Sequence, residues 1–311
     1  MLTKEQKIQQ LKMPYEDKLK RTKELILEWY LQYKGKVYVS FSGGKDSTAL
    51  LHIARGIKGC ENIKGVFIDT GLEYPEIREF VKATPNIEFV KPKKTFKEVI
   101  EHYGWPVVSK ETARYVYDIR NTKSEKTKAL RLNIGHPFAI KKKWLPLIDA
   151  PFKISDFCCR EMKKNPVKQY EKKSGNKPMV AVMADESVLR LSTYLTTNCN
   201  AFQMKHPISR PIIFWSEQDV LRYLYENKVP IASVYGDIVL KDGVYSTTGV
   251  KRTGCMFCMF GAQFKKDKRF ELMQQTHPKI YEYIMNILGG AKVLEFIKNV
   301  KETRGRKKKD D

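Results

Sequence analysis

Long apolar runs are missing from this chain of 311 residues. The longest, such as Gly65 to Ile68 and Met179 to Ala184, fall far short of the roughly 20 residues that a membrane-crossing helix needs. No span is expected. The segment Met1 to Met13 is polar and lysine-rich and lacks the apolar stretch of a secretory signal, so a cytoplasmic location is expected. No internal repeat is visible. Acidic side chains are outnumbered, 35 against 58 lysines and arginines, for a formal charge of +23. Such a field attracts polyanions, which makes nucleic acid a candidate partner. A general lysine excess would give the same count without specifying any partner.

With 42% hydrophobic and 11% aromatic residues the chain can bury a sizeable core. Apolar positions from Leu11 to Tyr30 recur at helical spacing, so helices should open the chain. The β-rich run Val37 to Ser42 then ends in two glycines and passes into a helical stretch. The same alternation returns in Gly65–Thr70, a helix begun by Pro75, Asn86–Val90 and a helix from about Thr95 to Tyr103. It predicts an α/β fold: a doubly wound, mainly parallel sheet covered on both faces. Lysine-rich helical sequence follows from Lys110 to Lys143. Pro178–Ala184 reads as another buried strand, Ser187 and Ser216 begin helices, and Pro230 stops the second. After Val250 the chain is rich in cysteine and glycine, then helical. The expected division is N-terminal helices over 1–35, a nucleotide-binding α/β domain over 36–235, a cysteine-containing helical region over 236–303, and a basic disordered tail over 304–311 containing Arg304 to Lys309.

Ser42, Gly43, Gly44, Lys45, Asp46 and Ser47 sit between a buried strand and a helix N-terminus, where unpaired amides and the helix dipole favour an anion. The glycines let the backbone close around it, Lys45 adds a charge, and Ser42 and Ser47 offer hydroxyls. The Walker A spacing is lacking. Asp69 and Thr70 end the next strand, where open α/β sheets place their ligands.

Of the six cysteines, Cys158 and Cys159 are adjacent, and Cys255 and Cys258 form a CxxC preceded by Gly254. Clustered pairs in a cytosolic chain favour metal or catalysis over disulfides. Adjacent cysteines are awkward as joint ligands of one tetrahedral zinc, and a [4Fe-4S] cube accommodates them better. Zinc and purely structural thiols remain alternatives. Cys60 and Cys199 read as unpaired thiols.

The hexapeptide SGGKDS resembles the PP-loop of the ATP pyrophosphatase superfamily. CCREMKKNP with a distant GCMFC resembles the iron-sulfur adenylyl sulfate and phosphoadenosine phosphosulfate reductases. GWPVVSK, ADES-x-x-R and HPISRPIIFWSEQDVLRYL extend that resemblance over roughly Lys36 to Gly261. It implies that Ser42 to Ser47 hold the phosphates of ATP or the anionic end of an adenylyl sulfate. It further implies Lys45, Asp46 and Asp69 as catalytic candidates, with Asp69 and Thr70 near ribose or a magnesium ion and Glu186 and Arg190 at the nucleotide. Cys158, Cys159, Cys255 and Cys258 would ligate a [4Fe-4S] cluster, and Arg160, Lys163, Lys164 and Arg252 would surround the anion. Two features depart from the family. Met183 stands where the strand-end motif commonly has its first arginine, and no cysteine follows Cys258 to match the reductases' nucleophile.

The expectation is therefore an ATP-dependent, adenylylating sulfur transfer to DNA or tRNA, with a sulfur donor such as a cysteine desulfurase. The alternatives are a sulfonucleotide reductase that uses Cys199 or an external thiol, and a non-catalytic nucleic-acid-binding subunit.

Overall fold

The computed structural model describes residues 2–302; the basic tail proposed for 304–311 lies outside the described residues. Two compact units interleave along the sequence. The first runs up to Asp69 and adds Glu73–Lys91 and Val167–Thr253; the second comprises Thr70–Leu72, Pro92–Pro166 and the described residues from Gly254 onward.

Ten short strands occur in chain order: β1 (Val37–Ser40), β2 (Lys64–Ile68), β3 (Ile87–Val90), β4 (Val107–Val108), β5 (Lys177–Met179), β6 (Asn200–Ala201), β7 (Ile208–Ser209), β8 (Ile238–Lys241), β9 (Val244–Thr247) and β10 (Met259–Phe260). The first unit carries a six-stranded sheet in the order β3-β2-β1-β5-β7-β6. All its pairings are parallel except β6 on β7. The fold class is the expected α/β one. Val37, Val39 and Phe41 along β1 pack with Ala49, Leu50 and Ile53 of helix Lys45–Arg55 and with Leu25, Ile26 and Trp29 of helix Tyr15–Gln32. The strand expected over Pro178–Ala184 is shorter than its apolar run. Only Lys177–Met179 joins the ladder, and the chain then turns away as Glu186 folds back to accept the Met183 amide.

A polar tie crosses this apolar core. The buried Lys18 ammonium donates to Asp219 at 2.8 Å, and the same carboxylate accepts the amide and hydroxyl of Ser216, closing a capping box on helix Glu217–Glu226. Beside it the Trp215 indole donates to the Thr22 hydroxyl, which donates to the Pro211 carbonyl. The tie sets where that helix begins, and hence where Glu217 stands.

The second unit pairs β4 with β10 in parallel and packs Phe96, Trp105, Phe257 and Tyr283 edge to face or tilted. Arg120 gathers the carbonyls of Leu147, Ile148, Ala150 and Phe152 around one guanidinium.

Removing one member of a buried pair strands the other. Lys18→Met is therefore expected to cost about 2–3 kcal/mol, read as a lower urea midpoint with unchanged m-value. A shift below about 0.5 kcal/mol would show that the tie is not structural.

Candidate functional site

Gly43 adopts a left-handed φ of +70°, and a Cβ there would lie 2.7 Å from Val81 and 2.9 Å from Ile77. Only glycine fits this turn against helix Pro75–Ala83. Gly44 then caps helix Lys45–Arg55 without any side-chain cap, so the helix opens directly on the loop. The loop's hydroxyls bond one another: Ser47 Oγ accepts the Ser42 amide at 3.1 Å, donates to the Gly44 carbonyl at 3.0 Å, and lies 3.1 Å from Ser42 Oγ.

A cleft of about 130 Å³ opens over this loop, lined by Ser42, Gly44, Lys45, Asp46, Met183 and Glu186, and by Glu217, Tyr235, Lys251, Arg252 and Thr253. It is well under the roughly 300–1,000 Å³ that encloses a whole drug-sized ligand, a size suited to a phosphoryl group. Lys45 is 6% exposed; its ammonium donates to Glu217 at 3.1 Å and lies 5.5 Å from the Tyr235 ring centroid. Tyr235 in turn shares a 2.6 Å hydrogen bond with Thr253. Burial raises the Asp46 carboxyl above its ordinary range, with Glu217 adding to the rise while Lys45, Arg252 and Arg190 oppose it. Arg190 and Glu186 form an ion pair one helical turn apart.

The structure thus gathers Ser42, Gly44, Lys45, Asp46, Glu186 and Arg252 around one cleft, with Arg190 paired at its edge, Gly43 forming the turn and Ser47 beneath. Asp69 is not among the lining residues. Both its oxygens accept from Arg78, at 2.9 and 2.8 Å. Thr70 belongs to the second unit, where its hydroxyl accepts the Leu72 amide. Sequence reasoning missed Glu217, Tyr235, Lys251 and Thr253. The N-cap Ser216 marked the helix start one residue before Glu217, but nothing local showed that this carboxylate meets Lys45, 172 residues away.

In the second unit, Cys158 is buried and Cys159, Cys255 and Cys258 are half-buried. Burial pushes the Cys158 thiol up, and Cys255, Cys159 and Cys258 push it further, with Lys163 opposing. All four cysteines therefore sit within electrostatic reach of one another. Cys258 is likewise raised by burial, while the Phe260 amide, Arg269 and Lys163 moderate the rise. Cys159 leads into a single π-helical turn, Arg160–Lys164. Arg160 lies 3.8 Å over the Phe157 ring and donates to Glu161, so it packs beside the thiols rather than standing free. Among the described residues, no three His, Cys, Asp or Glu side chains converge on one metal ion. A single zinc asks for ligands about 2.0–2.3 Å from one point, whereas a polynuclear cluster spreads its cysteines over several irons. Cys60 and Cys199 are buried, unpaired thiols, and burial raises Cys199 to about 11.

A glycine turn at the end of a parallel strand, opening a helix onto a cation-lined cleft, defines an anion-binding α/β domain of the nucleotide-handling class. Residues 36–134 and 89–259 match the phosphoadenosine phosphosulfate reductase domain, and the chain belongs to that family. Two proteins of Methanocaldococcus jannaschii are similar to it, both named as uncharacterized. One, MJ0973, is 24% identical over 279 residues, covering 86% of this chain and 52% of its own length; the other, MJ0066, is 27% identical over 264 residues, covering 83% and 42%. The chain thus spans about half the length, or less, of these relatives. A solved phosphoadenylyl-sulfate reductase from Candida auris, in complex with phosphate, is similar at 16% identity and a TM-score of 0.40, covering 68% of this chain and 82% of that one.

A carboxyl raised by burial penalises the folded state wherever it is ionised. That penalty is absent below the ordinary aspartate value and grows as pH rises through the raised one. Asp46→Asn should therefore stabilise the protein at pH 7 relative to wild type, with the gain fading toward pH 3. Thermal unfolding across that range checks the sign; equal stability of the two proteins at all pH values would contradict it.

Proposed function

We propose that the protein binds ATP at the glycine loop, cleaves it between the α- and β-phosphates, and adenylylates an oxygen of a nucleic acid that sulfur then replaces. The observation that carries this reading is the internal pairing of the cleft. Lys45 is held by Glu217 and Arg190 by Glu186, with Asp46 buried among them. A bare sulfonucleotide anion that took Lys45 would leave Glu217, Asp46 and Glu186 without their counter-charges. ATP arrives with magnesium, which compensates the carboxylates as the phosphates take the cations.

In the proposed reaction the acceptor oxygen attacks the α-phosphorus, the bond from the α-phosphorus to the bridging oxygen breaks, and pyrophosphate leaves with magnesium. Lys45, Arg252 and the loop amides meet the charge that builds on the leaving oxygens. Asp46 and Glu217 face the magnesium side, Ser42 and Ser47 donate hydroxyls to phosphate oxygens, and Arg190 with Glu186 borders the nucleotide. Asp69, paired with Arg78 outside the lining of the cleft, is given no part in this step. Sulfide, released from the persulfide of a donor such as a cysteine desulfurase by a second thiol that is oxidised to the disulfide, then attacks the activated carbon; the carbon–oxygen bond breaks and AMP leaves.

The donor set of Cys158, Cys159, Cys255 and Cys258 fits a [4Fe-4S] cluster in its chemistry: four thiols in one neighbourhood, with Cys158 raised by burial first and by the other three after it. Bound there, a cluster supplies redox-active iron and sulfide. Around it, Lys163 and Arg269 temper the thiolate charge. Family membership also favours a second reading, reduction of an adenylyl sulfate by an external thiol. Cys199, buried and raised to about 11, is a poor source of that thiolate.

Anaerobically prepared protein should release pyrophosphate from magnesium-ATP in the presence of DNA or tRNA, and Lys45→Met should lower the rate by about 10²–10³-fold. Sulfite from adenylyl sulfate and thioredoxin, with no pyrophosphate from ATP, would replace this reading with the reductase. Nucleic-acid binding with neither product would leave a non-catalytic subunit. Iron and acid-labile sulfide analysis should give about four of each per chain, lost in Cys158→Ser; zinc, or no metal in folded protein, would remove the cluster from the account.

A further inference from the structure

We infer that the segment from Leu132 to Lys143 in the second unit is a contact surface for single-stranded nucleic acid, with Phe138 as the stacking platform; this rests on the nucleic-acid reading above. Charge and exposed apolar surface coincide there. Between Thr122 and Lys143 the one acidic residue is Glu125, against seven lysines and arginines, and the lysines are all exposed. Leu132, Ile134 and Phe138 are 38%, 51% and 59% exposed, three large apolar side chains within seven residues.

Exposed lysines alone would be an ordinary solvated surface. What sets this segment apart is that its exposed apolar groups are held in place. The Ile140 amide donates to the Arg131 carbonyl at 2.8 Å, and the Arg131 guanidinium donates to the Phe138 carbonyl at 2.9 Å. Arg131 is itself anchored on Asp118 at 3.0 Å and lies 4.1 Å over the Tyr115 ring. The Phe138 amide donates to His136 Nδ1, and Ala139 and Ile140 are buried as plugs behind the exposed ring. Fixing an aromatic face toward water gains nothing for folding. It is pre-organised for a planar partner, and the surrounding lysines select one that is polyanionic. Unpaired bases on a phosphate chain combine both properties; a duplex hides its base faces.

The test is fluorescence anisotropy of the full chain with labelled single-stranded DNA and RNA oligonucleotides and a DNA duplex, across a salt series. Binding of magnesium with an ATP analogue bridged by methylene between the α- and β-phosphates is measured in parallel. Phe138→Ala should weaken single-strand binding about tenfold, and Phe138→Trp should restore it. The combined Lys141→Gln, Lys142→Gln and Lys143→Gln variant should lower the salt slope by about 2. Both should leave binding of the magnesium analogue and the melting temperature unchanged. The DNA and RNA arms show which strand is preferred. Binding that is tight in wild type but indifferent to these variants, or lost only in a Lys307→Gln, Lys308→Gln, Lys309→Gln variant, overturns the surface while sparing the nucleic-acid reading. No binding to any strand by a wild type that still binds the magnesium analogue overturns both.

Discussion

A cation buried at the mouth of a helix must have a counter-charge in every state of the protein, and here that requirement ties the cleft together. Lys45 is nearly sealed from water, and its ammonium rests on Glu217. Glu217 stands where it does because Ser216 caps its helix and Lys18 pins the capping aspartate from the opposite side of the core. The phosphate loop is thus not autonomous: its charge is balanced by a residue positioned through a chain of contacts reaching the N-terminal helix. In the proposed function an arriving phosphate shares or competes with Glu217 for the charge of Lys45, which couples anion binding to that carboxylate. That coupling favours an anion that brings its own divalent cation.

The loop itself was legible because its chemistry is local. Two glycines, a lysine and two serines between an apolar strand and a helix leave few other uses, and the steric demand at Gly43 shows why the turn cannot vary. The sheet was legible from alternating β and α segments. The hairpin of β8 and β9 was overlooked although Asp242 and Gly243, both at positive φ, form the Asp-Gly turn that favours such pairs. The strand drawn through Ala184 was too long because an apolar run records burial, not hydrogen-bonded pairing; beyond Val180, whose amide still donates to Ser209 of β7, the residues are half-buried or buried but bond locally or to Ile213. On the far wall of the cleft Arg252 was expected near the anion, but Tyr235, Lys251 and Thr253 could not be read, since only the folded chain brings them to the loop.

The cysteines show the same division. CC and CxxC announce ligands by type, and the fold brings the two pairs into one neighbourhood within the second unit, across some 96 residues of sequence from Cys159 to Cys255. The burial that raises Cys158 keeps it a neutral thiol, and a bound metal group would favour its thiolate instead. Basic residues there act on the thiols, as Lys163 does, or pack on rings, as Arg160 does; the sequence alone grouped them with the anion site.

The most direct measurement is calorimetric titration of the protein with magnesium and a non-hydrolysable ATP analogue bridged by methylene between the α- and β-phosphates, set beside adenylyl sulfate without metal. The account predicts one site per chain for the magnesium analogue, weakened at least tenfold when magnesium is withheld, and weaker binding of adenylyl sulfate. Tight, metal-independent binding of adenylyl sulfate with none of the ATP analogue would contradict it.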